Sequence, residues 1–279
     1  VGVNMLLAFD IGNSSVSVGV FRLSRDSHEL LTSFKISNKP YSADEYVMFL
    51  RVFLRENGFK TYEKNCTDEN MINCAVVSSV VPELTDIICA AAAKLCGRNP
   101  FIISEGKKTG FGIKIKNPEQ LGSDIVCNVA AALHLSSAPL VILDMGTATT
   151  ITVVDKNGNV LGTIITPGLA VSMKALSDSA ALLGNIRLER ENVLIGRDSE
   201  ESINSGVING NIFMIDGFIR NIREQIIPRD SGEKLSLLAT GGLSESIIPY
   251  TKNKFTYYKN LTLEGAAYLF EKNVALNFV

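Results

Sequence analysis

The feature that most constrains this chain is a pattern written twice. LLAFDIGNSS (6–15) and VILDMGTATT (141–150) each set an apolar run before Asp-x-Gly and then small residues bearing hydroxyl or amide groups. An Asp at a strand end, followed by Gly and small polar residues in a tight turn, lets backbone N–H groups come close to a phosphate, because no side chain stands in the way. One copy alone is compatible with an ordinary hairpin whose Asp caps the turn. Two copies in matching contexts predict a duplicated α/β fold, with an anion-binding turn in each half and a nucleotide cleft between the halves. The chain has no Gly-x-x-x-x-Gly-Lys-Ser/Thr loop and no helix opened by Gly-x-Gly-x-x-Gly, which excludes two other common phosphate cradles.

Residues 5–9 and 15–21 read as a hairpin across the first turn, with a third strand at 31–36. An amphipathic helix over 42–57 follows, with Asp44 and Glu45 in its first turn and Gly58 after it. A buried strand at 73–81, an alanine-rich helix at 82–96 and a short strand at 101–104 complete the first half. The second half repeats the order with strands at 140–144, 148–155 and 160–165, the last two joined across Asn157-Gly158, a strong hairpin signal. Helices at 170–181 and 199–225, a strand at 235–239 and a closing helix at 263–271 follow. The expected domains are 1–118, carrying the first turn, and 119–279, carrying the second, with the join in KNPEQLG.

The 279 residues, 46% hydrophobic and 20% charged, are enough for two cores of ordinary size. The 27 Lys and Arg nearly balance 29 Asp and Glu, which excludes the basic field that holds nucleic acid or an anionic membrane surface. No apolar run reaches the roughly 18 residues of a membrane helix. Five cysteines, Cys66, Cys74, Cys89, Cys96 and Cys127, include no Cys-x-x-Cys pair and have only His28 and His134 as imidazole companions. That pattern fits reduced thiols in a cytoplasm rather than a zinc site. Met5 is a candidate natural start, with 1–4 an extension before it.

At the turns, Asp10 can hold a magnesium ion directly or through water, while Asn13, Ser14, Thr147 and Thr149 can donate to phosphate oxygens. A third glycine turn, Gly241-Gly242 after the strand at 235–239, leaves room for a base and ribose against backbone. Phosphoryl transfer also needs a group to take the proton of the acceptor hydroxyl. Asp124, at the opening of a helix with Asn128 one turn further on, is the candidate, and the same position suits a plain helix cap. His134, deeper in that helix, reads as a packing or surface residue.

Taken together, these residues resemble the type III pantothenate kinase family of the actin-like sugar kinase and heat-shock ATPase superfold, nearly end to end. The family's Asp-x-Gly-Asn-Thr turn appears as DIGNS (10–14), its Ser-Val-Val-Pro strand end at 79–82 and its Asp-x-Gly-Thr-Ala-Thr-Thr run, complete, at 144–150. TPGLAVSMKAL, ATGGL and LTLEGA match its Pro-Gly segment, nucleotide glycines and closing helix. The resemblance implies two actin-like (ribonuclease H-like) domains and ATP-dependent phosphorylation of pantothenate to 4'-phosphopantothenate, the first step of coenzyme A biosynthesis. It assigns ATP to Asp10, Ile11, Gly12, Asn13, Ser14, Ser15, Val16, Ser17, Gly146, Thr147, Gly241 and Gly242, with magnesium. A monovalent cation, potassium or ammonium, is expected at Asp144, and Asp124 is expected to activate the acceptor hydroxyl. The resemblance further implies a cytoplasmic homodimer whose acceptor pocket borrows from the partner subunit.

The expected acceptor side comprises Ile115, Gly122, Ser123, Asp124, Ile125 and Ser179, and it departs from the family. Gly122-Ser-Asp-Ile125 stands where the family has Gly-x-Asp-Arg, Ile115 where it has Tyr, Ser179 where it has Thr, and Gly184 where it has Pro. Pantothenate is a carboxylate, and losing a charge-assisted partner costs on the order of 1.5–3 kcal/mol. Two further readings therefore stay open: a nucleotide-binding paralogue of little or no activity with a regulatory or assembly role, and a kinase for a different, more apolar acceptor.

Overall fold

The structure, a computed structural model, describes residues 4–24, 27–64, 68–104, 107–179, 193–228 and 231–274. The chain forms two compact units, Val1–Phe111 with Asn117–Ala132 and Asn260–Val279, and Gly112–Lys116 with Leu133–Lys259.

The first unit is built on a five-stranded sheet in the order β3-β2-β1-β4-β5, where β1 is Asn4–Ile11, β2 Ser15–Leu23, β3 His28–Ser37, β4 Ile72–Ser79 and β5 Phe101–Ile102. β2 runs antiparallel to both β1 and β3, while β1, β4 and β5 are parallel. β1 is apolar from Met5 to Phe9 because both its faces are covered there, as in strands at the centre of a parallel arrangement. Met5, Leu7, Phe9 and Ile11 pack with α1 (Ala43–Glu56) and α2 (Pro82–Cys96). Leu6 and Ala8 pack instead with α3 (Ser123–Leu135) and the last helix, α8 (Leu261–Asn273). The start of α1 is fixed by a capping box, Ser42 Oγ accepting from the Glu45 N–H and the Glu45 carboxylate accepting from the Ser42 N–H at 2.8 Å.

The second unit repeats the plan. Its sheet, β8-β7-β6-β9-β10, has the same order and the same pairing directions, with β6 Leu140–Met145, β7 Ala148–Val154, β8 Val160–Pro167, β9 Ser236–Thr240 and β10 Thr256–Tyr257. Val141, Leu143, Ile151 and Val153 pack against α4 (Leu169–Ser179) and the long helical stretch after residue 199. That stretch, expected as one helix, comprises α5 (Ser199–Asn204), a π-helical turn (Ser205–Asn209) and α6 (Gly210–Ile226). The final residues of the helix expected over 170–181 lie outside the described residues. β10 and α7 (Ser244–Ile247) are too short to leave a periodic signal.

The units do not follow a single cut at 118/119. α3 up to Ala132 and all of α8 belong with the first sheet, because Leu263, Ala266, Ala267 and Phe270 close over Leu6, Ala8, Cys74 and Val76. Gly265 makes this possible, since a Cβ there would run into the Cys127 carbonyl. Among the described residues, no helix is long and apolar enough to cross a membrane.

Candidate active site

β1 ends at Asp10 and Ile11, and the chain turns through Gly12, Asn13 and Ser14 into β2, with the Gly12 N–H donating to the Ser15 carbonyl at 3.0 Å. Asn13 and Ser14 are exposed at the tip, and Asp10, Gly12, Ser15 and Ser17 are half-buried. Ile11 and Val16 are fully buried in the core behind the turn, so only their backbone can meet a ligand. Asn38, which no sequence signal singles out, completes the turn. Its backbone N–H donates to the Ser14 carbonyl at 3.1 Å, and its Nδ2 donates to the carbonyls of Gly12 at 2.9 Å and Asn13 at 3.3 Å.

The end of β4 lies beside this turn, the Val80 N–H donating to the Ile11 carbonyl at 3.1 Å. Ser123, expected on the acceptor side, fastens α3 to that strand end. Its Oγ accepts from the Ser79 N–H at 2.9 Å and the Ser78 hydroxyl at 3.0 Å, and donates to the Ser79 carbonyl at 2.9 Å. Asp124 follows, its Oδ1 accepting from the Ile125 N–H at 2.8 Å. Burial pushes the Asp124 carboxyl above its usual range, and the N–H groups of Ile125 and of Asp124 itself oppose that rise. The bond to Ile125 is a helix-terminus contact, and the raised basicity is what a proton acceptor needs; a carboxylate with two oxygens can serve both. Gly122 leaves the carboxylate its space, since a Cβ there would run into Asp124 Oδ1.

The end of β1 reaches α3 through Ser78, which pairs with Asp10 in the β1/β4 register and donates its hydroxyl to Ser123 at 3.0 Å. Cys127 is pushed up first by burial and further by the negative charges of Asp10 and Asp124. Ile125 is buried at 8% exposure, and Asn128, at 2%, accepts at 2.8 Å from the Thr262 hydroxyl of α8.

In the second unit, Asp144 ends β6 and the Gly146 N–H donates to the Ala148 carbonyl at 3.0 Å. Two further glycine motifs close on this turn. Gly168 donates its N–H to the Thr147 carbonyl at 3.0 Å, and a Cβ on it would strike the Gly146 and Thr147 carbonyls. Gly241, at φ +89, would carry a Cβ only 2.6 Å from Asp144 Oδ1 and from the Met145 nitrogen. Gly242, Gly146 and Thr147 are exposed. Thr149 is 1% exposed on the core side of β7, and its Oγ1 has no hydrogen-bond partner among the described residues. Ile115 is half-buried in the 112–116 segment of this unit, and His134 is exposed. The Ser179 side chain, Gly184 and Cys66 lie outside what is described, while Cys74, Cys89, Cys96 and Cys127 are free thiols.

Among the described residues no three His, Cys, Asp or Glu side chains gather as a metal cage. Asp10 and Asp144 each bring one carboxylate at a strand end, a donor set that suits a hydrated cation sharing phosphate oxygens.

Two sheets of identical order, each opening on a strand, a glycine turn and an antiparallel strand, define the class as the actin-like ATPase and sugar kinase fold. Solved structures with this architecture include a Baf family protein from Campylobacter jejuni, at TM-score 0.56 and 18% identity over 96% of this chain and 98% of its own. Another is the activator of 2-hydroxyisocaproyl-CoA dehydratase from Clostridium difficile with bound ADPNP, at 0.52 and 11% over 96% and 95%. The profile of the type III pantothenate kinase family matches residues 6–221. Type III pantothenate kinases of Agathobacter rectalis and Moorella thermoacetica are 34% and 33% identical over 96% of this chain and 97% and 100% of their own lengths. The chain belongs to the type III pantothenate kinase family.

Proposed function

We propose that the chain transfers the γ-phosphoryl group of ATP to pantothenate, giving 4'-phosphopantothenate, the first step of coenzyme A biosynthesis. The observation that carries this for the present chain is the link from the first turn to Asp124: Asp10 pairs with Ser78 in the β1/β4 register, and the Ser78 hydroxyl donates at 3.0 Å to Ser123, the residue before Asp124, which supports a phosphate turn and a basic carboxyl acting on one reaction. In this reading the turn amides with Asn13 and Ser14 orient the phosphates, and Gly146, Thr147, Gly241 and Gly242 serve the nucleotide from the second unit. Asp124 takes the hydroxyl proton as the acceptor oxygen bonds to phosphorus and the bond to ADP breaks. Magnesium held at Asp10, and potassium or ammonium at Asp144, would neutralise phosphate charge. We further read 1–118 and 119–279 as the two halves of the duplication in sequence, with α3 and α8 of the second half packing on the first sheet, and the protein as a cytoplasmic homodimer whose partner completes the acceptor pocket beside Ile115 and Ser179.

A second reading is favoured by Ile125, buried and apolar where a guanidinium would meet a carboxylate: a weaker hold on pantothenate, or a more apolar acceptor. ADP release measured with and without pantothenate, in potassium and in sodium buffer, tests both. Release that depends on pantothenate and is faster in potassium is expected; release indifferent to pantothenate would overturn the first reading.

A further inference from the structure

Asn38 belongs to none of the motifs that carry the family likeness, yet it is joined to the first turn by three hydrogen bonds. β3 pairs with β2 in a register that sets Ser37 opposite Ser15, which brings the next residue, Asn38, level with the turn. There it takes the carbonyls of Gly12, Asn13 and Ser14, at 2.9, 3.3 and 3.1 Å. Three successive carbonyls of the turn therefore point at one residue.

A trans peptide unit is planar, with its C=O and the following N–H on opposite sides. Drawing the Gly12 and Asn13 carbonyls toward Asn38 turns the N–H groups of Asn13 and Ser14 away from it together. Successive amides aimed to one side form the concavity that accepts an anion. With either carbonyl reversed, an oxygen would face the phosphate instead. The side-chain amide is suited to this because it donates two hydrogens from one nitrogen.

We infer that Asn38 is a positioning residue for the nucleotide, fixing the polarity of the first phosphate turn so that its amides rather than its carbonyls face the phosphates. The inference rests on the proposed phosphate role of that turn. Asn38 is half-buried at the end of a strand, so substitutions there should leave the fold standing.

The test is calorimetric titration of ADPNP, and separately of adenosine, into the parent, Asn38→Ala, Asn38→Leu, Asn38→Gln and Gly12→Val, with melting temperature recorded for each. Removing the donor without adding charge, as Ala and Leu do, should weaken ADPNP roughly tenfold or more and leave adenosine unchanged. The KM for ATP should rise correspondingly with kcat at saturation largely kept, and Gln, which retains a donor, should hold more ADPNP affinity than Ala. Parent-like ADPNP binding in the Ala and Leu variants, equal loss of adenosine, or a Gln variant no better than Ala would overturn the role of Asn38. Gly12→Val separates the two levels. If it binds ADPNP like the parent, the turn is not a phosphate site and both readings fall; if it loses ADPNP while Ala and Leu do not, only Asn38's role falls.

Discussion

The two Asp-x-Gly turns occupy equivalent places in equivalent sheets, yet they are held by different means. The first is held from outside by polar side chains: Asn38 on its carbonyls, and the Ser123 hydroxyl joining the adjacent strand end to α3. The second is enclosed by backbone, with Gly168 and Gly241 at approaches that leave no room for a Cβ. A turn shaped by side chains can be retuned one substitution at a time. A turn enclosed by backbone tolerates almost no change. The family motif is accordingly complete at 144–150, whereas the first turn carries Ser14 for Thr.

The largest effect should come from breaking the enclosed turn. Gly241→Ala combines a left-handed backbone with contacts well inside van der Waals distance, and it should cost about 2–4 kcal/mol in urea unfolding. A loss below about 0.5 kcal/mol would show that the second turn is as adjustable as the first. Ile125→Arg asks the opposite of the first unit. It should tighten pantothenate on nucleotide-loaded protein roughly tenfold by calorimetry, at some cost in melting temperature in the absence of pantothenate because residue 125 is buried. Unchanged affinity would place the hold on the carboxylate elsewhere.

The smallest effect concerns another polar tie of the first unit. Burial alone would lower the His28 imidazole, but Glu264 and Glu271 of α8, at 3.1 and 2.8 Å, raise it to about 9. Because the folded value lies above the unfolded one, the contribution is complete below about pH 6.5 and is lost as pH rises through about 9. Stability should therefore fall by roughly 1 kcal/mol or more between those limits, and His28→Gln should flatten the slope. A parent profile already flat there would remove the tie.

Local signals in the sequence were enough for both hairpins, the order of the longer strands and helices, and the glycine motifs, because each is written in adjacent residues. What they could not reach is long-range. The closing helix reads correctly as a helix, but nothing in LTLEGA says that Gly265 seats it on Cys127 in the first unit. Asn38 follows an ordinary strand, and its importance comes from a register set across β2 and β3. Asp124 was legible as a candidate, while its contact with the Ile125 N–H and its raised basicity depend on burial that the chain creates only when α3 docks. The hydroxyl of Thr149 reads as a phosphate donor from the run alone, and its burial follows from strand alternation that sets it on the core side.

The claim on which most depends is that Asp124 accepts the acceptor's proton rather than only closing a helix end. ADP release at saturating pantothenate, measured for the parent and Asp124→Asn on samples whose ADPNP affinity is determined in parallel, tests it directly. The expected result is a fall of roughly 10²-fold or more in turnover with nucleotide affinity unchanged. Undiminished turnover in the Asn variant would contradict it and leave Asp124 as a helix cap.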